Sequence, residues 1–158
     1  MSVLPFFGWV QSLAVGESIR NSLWLFPAIE SLHLLGLAVI SGSILLVDMR
    51  LFGLGMRNQS VRQIARDAEP WFVTGLIWML LSGSLLFTSE AIKCYRHWAF
   101  WLKMACLFLA IIFTFTIRRR VTMADAATIT PFKSRLVAIA SLVLWSGVGF
   151  GGRWIGFS

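Results

Sequence analysis

Apolar residues fill four long blocks of the chain, at 24–52, 71–89, 98–117 and 136–155, each interrupted by only a few polar positions. Crossing the roughly 30 Å hydrocarbon core of a bilayer takes about 20 apolar residues in a helix. A lone strand there would leave its backbone donors and acceptors unpaired. The pattern therefore predicts four transmembrane helices, and their short connections favour an all-α, up-down four-helix bundle. No stretch remains for a separate soluble domain, so residues 1–158 read as one transmembrane domain.

Ahead of the first span, residues 5–19 mix Phe6, Phe7, Trp9, Val10 and Leu13 with Gln11, Ser12 and Glu17. That apolar set is too short to cross a bilayer, and no basic segment precedes it as in a signal peptide. An amphipathic helix lying in the membrane interface is expected, started by Pro5. After the first span, Ser60 has the chemistry of an N-cap for a short helix over Val61–Glu69, which Pro70 is expected to stop. Trp71 then opens the second span as an interfacial aromatic. Ala91–His97 forms the hairpin to the third span, and a loop holding Pro131 leads to the fourth.

The few polar residues inside the spans recur at helical spacing. Advancing about 100° per residue from Glu30 puts His33, Ser41 and Asp48 within roughly 60° of it, one polar stripe on the first span. In the third span Ala99, Lys103, Cys106, Ala110 and Thr114 share a face of mostly small residues. The second span carries Thr74, Gly75, Ser82, Gly83 and Ser84. On the fourth, Leu142, Ser146, Gly149 and Arg153 share a face, and Gly147 and Gly151 form GxxxG, a weak packing signal on its own. Charged groups at the centre of a membrane helix cost about 2.5 kcal/mol or more and are normally turned toward protein.

Composition agrees with a membrane protein: 58% of residues are hydrophobic and 13% charged, with mean hydropathy +0.78. The net charge of +7 is concentrated in two connections. Arg50, Arg57, Arg62 and Arg66 lie between the first two spans; Arg118, Arg119, Arg120, Lys133 and Arg135 lie between the last two. The positive-inside rule puts both connections in the cytoplasm and both termini outside. The basic residues thus report topology and an affinity for anionic membrane lipids, not nucleic acid. Cys94 and Cys106 are about 18 Å apart along one helix, too far for a mutual disulfide, and no CxxC motif is present.

The candidate site follows from depth. With the outer hydrocarbon boundary near Ala28, Glu30 lies about 3 Å and His33 about 8 Å inside it at 1.5 Å per residue. Lys103 lies about 8 Å in from Trp98, and Arg153 about 3 Å from Ile155. Glu30, His33, Lys103 and Arg153 are therefore expected together in the outer leaflet, with Glu90 from the end of the second span beside them. The cluster reads as a buried network of Glu30 with Lys103 or Arg153, or as a pocket for a small polar or anionic ligand. It can also hold the bundle in a form that docks a larger membrane or periplasmic complex. No cofactor is expected. The alternative is an electron-transfer protein holding b-type haem between His33 and His97, the chain's two histidines. Geometry opposes that pairing, since His97 sits at the membrane surface and points about 140° from the Lys103 stripe. Metal is not expected either: a di-iron bundle needs a second Glu-x-x-His besides Glu30-x-x-His33 and two further glutamates, and copper held by Met79, Met104 and His33 is opposed by the usual role of Met as core filler. No nucleophile-base pair and no P-loop, GxGxxG or GxSxG motif supports an enzyme.

The run Ile19–Gly36, containing Trp24-Leu25-Phe26-Pro27-Ala28-Ile29-Glu30-Ser31-Leu32-His33, resembles a family of small four-span bacterial inner-membrane proteins whose function is not established. Val47-Asp48-Met49-Arg50-Leu51-Phe52-Gly53, Ala99–Met104 and Gly152-Arg153-Trp154-Ile155 extend the likeness over nearly the whole chain. The resemblance implies an inner-membrane location and a shared pattern made of Glu30, His33, Asp48, Lys103 and Arg153. Where the family more often has Asn-Pro, this chain has His97-Trp98, a further point against His97 as a haem ligand.

Overall fold

The computed structural model of the protein describes residues 4–55, 58–124 and 129–156; Arg57 of the first basic connection lies outside them. The described residues are helical apart from short connections: α1 (Leu4–Gln11), α2 (Ala14–Asn21), α3 (Leu25–Leu51), α4 (Val61–Ser89), α5 (Ala91–Arg96), α6 (Trp98–Phe113), α7 (Arg119–Met123) and α8 (Pro131–Gly156). A π-helical turn over Thr114–Arg118 joins α6 to α7, so the third long helix runs on to Met123. The four helices Leu25–Leu51, Val61–Ser89, Trp98–Met123 and Pro131–Ile155 are long and apolar enough to cross a membrane.

Helix α3 forms the centre. Gly36, Ile40, Ser43, Ile44, Val47, Asp48 and Leu51 are buried, a helical repeat that faces α4 on one side and α8 on the other. The buried arc is rotated from the expected polar stripe toward His33. Ser41 falls about 100° from its centre and is exposed, which corrects its place in that stripe. On the third helix Ala99 and Ala110 are fully buried, and the small-residue stripe packs on α8. A Cβ on Gly147 would stand 2.8 Å from Cys106 Sγ, and one on Gly151 would stand 3.2 Å from the Ala99 carbonyl oxygen. The GxxxG pair therefore sets how closely these two helices approach. Ser146, from the other face expected to be polar, is exposed.

Two local expectations are corrected. The helix begun at Val61, with Ser60 Oγ accepting from the Gln63 N–H at 3.2 Å, does not stop at Pro70 but continues to Ser89. Proline removes one backbone donor. That loss is outweighed by an apolar face kept in one register across it, with Ile64, Ala65, Ala68, Phe72, Leu76 and Met79 all buried. The N-terminal segment is two helices rather than one, broken at Ser12-Leu13. Phe6 and Trp9 are exposed, as suits an interfacial element, while Phe7 and Val10 pack with Ala91, Phe87 and Tyr95. Gln11 Oε1 accepts from the Ile92 N–H at 2.8 Å, and Arg20 donates to the Ser89 carbonyl at 2.9 Å. These bonds tie α1 and α2 to the α4–α5 corner.

Candidate functional site

The pairs α3–α4 and α6–α8 are closely packed, whereas α4 and α6 barely meet. The space left between these pairs, toward the end where α3 begins, is a chamber of about 300 Å³. Glu30 and His33 reach it from α3, Lys103 from α6, Arg153 from α8, and Glu90 from the α4–α5 corner. All five residues expected to cluster from their depths thus line one cavity. Lys93, which was not anticipated, lines it too and pairs with Glu90 at 3.7 Å.

His33 is oriented by a bond that fixes its chemistry. Its Nδ1 lies 2.8 Å from Ser82 Oγ, and Ser82 donates its single hydroxyl hydrogen to the Trp78 carbonyl at 2.7 Å. The serine oxygen is then left as acceptor, so a neutral His33 carries its hydrogen on Nδ1 and keeps the Nε2 lone pair. Gly83 makes room for the ring, since a Cβ there would stand 3.1 Å from His33 Cε1. Trp78 Nε1 donates to the Leu32 carbonyl at 3.0 Å, bracing the same stretch of α3.

The expected network of Glu30 with Lys103 or Arg153 is not formed by Glu30 and Lys103. Among the described residues neither makes a hydrogen bond or an ion pair within 4 Å. The Lys103 ammonium group packs instead over Gly152, where a Cβ would stand 3.3 Å from Nζ. The chamber is thus lined by three cations, Lys93, Lys103 and Arg153, against two carboxylates, Glu30 and Glu90.

His97 lines neither this chamber nor the cleft that adjoins it. It caps α6, its Nδ1 accepting from the Ala99 N–H at 3.4 Å. The two histidines are not brought to one cavity. Among the described residues no group of three or more His, Cys, Asp or Glu has the arrangement of a metal site. Cys94 also lines the chamber, from the α5 hairpin, and burial followed by the nearby Glu90 charge pushes its thiol up from the usual range.

A second cavity of about 240 Å³ adjoins the chamber and shares part of its lining, His33 and Lys103 among it. Its remaining lining is almost wholly apolar, including Leu76, Leu80, Met104, Leu107 and Trp145. Leu80 and Met104, from α4 and α6, are 46% and 44% exposed, so the cleft opens between those helices toward the lipid-facing surface. Sequence reasoning missed this cleft, because Leu and Met in a span look alike whether they face lipid, core or a gap.

At the opposite end of the bundle, Asp48 is completely buried and Arg118 nearly so. Nε and Nη2 of Arg118 each lie 3.0 Å from Asp48 Oδ1, and Nη2 also donates to the Ile44 carbonyl at 3.2 Å. Arg118 was expected as a loop residue reporting topology; it is the partner of Asp48 in an ion pair between two helices. The π turn helps to aim it: the Arg119 N–H reaches back five residues to the Thr114 carbonyl, widening the helix at Arg118. Among the described residues, Asp48 Oδ2 and the buried hydroxyl of Ser141 have no hydrogen-bond partner within 3.5 Å.

The family model described as a family of unknown function, DUF6644, matches residues 6–158. No curated protein and no solved structure matches the chain.

Proposed function

The chain belongs to the DUF6644 family, and we propose that it is a non-enzymatic membrane protein that binds a small ligand in the chamber of Glu30, His33, Lys103, Arg153 and Glu90. One observation carries this reading. Ionisable side chains from four elements line a cavity of about 300 Å³, the size at which ligand pockets begin, and Glu30 and Lys103 do not pair across it. A purely structural network would pair its acid and its amine, because an unpaired charge in a membrane helix is costly. The lone pair on His33 Nε2 and the ammonium of Lys103 offer a ligand one acceptor and one donor. Haem has less support: His33 offers one axial nitrogen and His97 lies elsewhere.

The basic connections support a bacterial inner-membrane orientation with the chamber and both termini on the outer side. In that orientation the chamber faces the periplasm, and docking to a larger membrane or periplasmic complex would occur there.

The test is purification from native membranes, with identification of what accompanies the wild-type protein and the Lys103→Met variant. The reading expects one small molecule near one-to-one with the wild type, depleted at least tenfold in a variant of normal abundance. Loss of Lys103→Met protein from the membrane with no bound molecule in the wild type would instead mark a structural network. A Soret band that shifts on dithionite reduction and disappears in His33→Ala would establish the haem alternative.

A further inference from the structure

The geometry points to the class of ligand: a long-chain carboxylate, a single-chain amphiphile entering from the bilayer between α4 and α6. This rests on the ligand-binding reading of the chamber and deepens it. A chamber that carries the ionisable groups and a cleft that is otherwise apolar meet at the same residues, His33 and Lys103, and together they complement the head and tail of an amphiphile. The cleft volume of about 240 Å³ exceeds the roughly 150 Å³ that admits a benzene-sized molecule, and its lips are exposed Leu80 and Met104. A chain seated there passes straight into surrounding acyl chains, so only the head group leaves the hydrocarbon.

Charge selects the head. Lys93 in the chamber lining is paired with Glu90, whereas Lys103, at the junction with the cleft, has no anionic partner among the described residues. A monoanion brings the one negative charge that Lys103 lacks, whereas a phosphate monoester brings a charge near −1.5 to −2 and exceeds it. A carboxylate at the junction would accept from Lys103 Nζ. Its chain would then lie along Leu107, Met104 and Leu80.

Native mass spectrometry of the detergent-solubilised protein, titrated separately with palmitate, hexadecanol and butyrate, tests this. The wild type is expected to bind one palmitate, with hexadecanol at least tenfold weaker, because it has the chain without the charge. Lys103→Gln should weaken palmitate at least tenfold. Met104→Trp fills the cleft from a side chain that is 44% exposed and should weaken palmitate as much while leaving butyrate unchanged. If Lys103→Gln does not fold, the Met104→Trp comparison decides. Equal binding of butyrate and palmitate, with no effect of Met104→Trp, would overturn the amphiphile and leave the chamber reading standing. No saturable binding of either carboxylate, with no molecule retained from native membranes, would overturn both.

Discussion

Replacing Arg118 by leucine should destabilise the end of the bundle that holds Asp48, and the structure gives the size of the effect. The change deletes both contacts to Asp48 Oδ1, each 3.0 Å, and the bond to the Ile44 carbonyl, leaving a fully buried carboxylate with no cation. Removing one partner of a buried pair costs about 3–5 kcal/mol. Against a total stability of about 5–15 kcal/mol, that is a large fraction. The unfolded chain in a membrane mimetic also finds polar partners, so the lower end of that range, about 3 kcal/mol, is the expected loss. Unfolding in mixed micelles with increasing SDS, followed by tryptophan fluorescence, measures it. The Asp48→Asn/Arg118→Leu double variant removes the stranded charge and should recover at least half the loss, a coupling of at least about 1.5 kcal/mol. A single variant within about 0.5 kcal/mol of wild type, or a double variant that loses the sum of both single losses, would refute the pair as a stabilising unit.

Three further outcomes follow from other contacts. Gly147→Val places a branched side chain where a Cβ alone stands 2.8 Å from Cys106 Sγ, and overpacking of this kind costs about 1–3 kcal/mol; the same unfolding assay reads it. Ser82→Ala removes the acceptor of the His33 Nδ1 hydrogen; ligand retained through purification should fall about tenfold at normal protein abundance, since a lost orienting bond is worth about 1 kcal/mol or more. Cys94 has its thiol pushed up by burial and the Glu90 charge, so less of it is thiolate at any pH below that raised value. In a Cys106→Ala background, maleimide labelling of Cys94 at pH 8 should be slower in the folded protein than after SDS unfolding, and should accelerate as pH is raised; equal rates at pH 8 would contradict its burial.

Much of the fold is written in hydrophobic periodicity, because a membrane helix must satisfy its own backbone and must be long. The four spans follow from that constraint, and the burial of Ala99 and Ala110 from the small-residue face they share on the third span. Depth arithmetic also brought Glu30, His33, Lys103 and Arg153 to one level, because 1.5 Å per residue holds for every straight helix. Pro70 misled because a local stop signal was weighed without the apolar face that continues through it. Arg118 misled for a related reason. It begins a run of three arginines and so reads as loop charge, yet Asp48 on the other span lies at a matching depth and needs a cation. That demand was the available signal. The π turn that aims Arg118 and the gap between α4 and α6 depend on how helices pack against each other, which no single helix records in its own period.

The central claim is that Glu30 and His33 of α3 and Lys103 of α6 line a site that a ligand occupies. An experimental density map of the protein purified from native membranes tests it most directly. The account predicts non-protein density in the chamber within hydrogen-bond reach of Lys103 Nζ, running on between Leu80 and Met104. A map with Lys103 turned outward into lipid, or with the chamber closed by a direct Glu30–Lys103 pair, would contradict it.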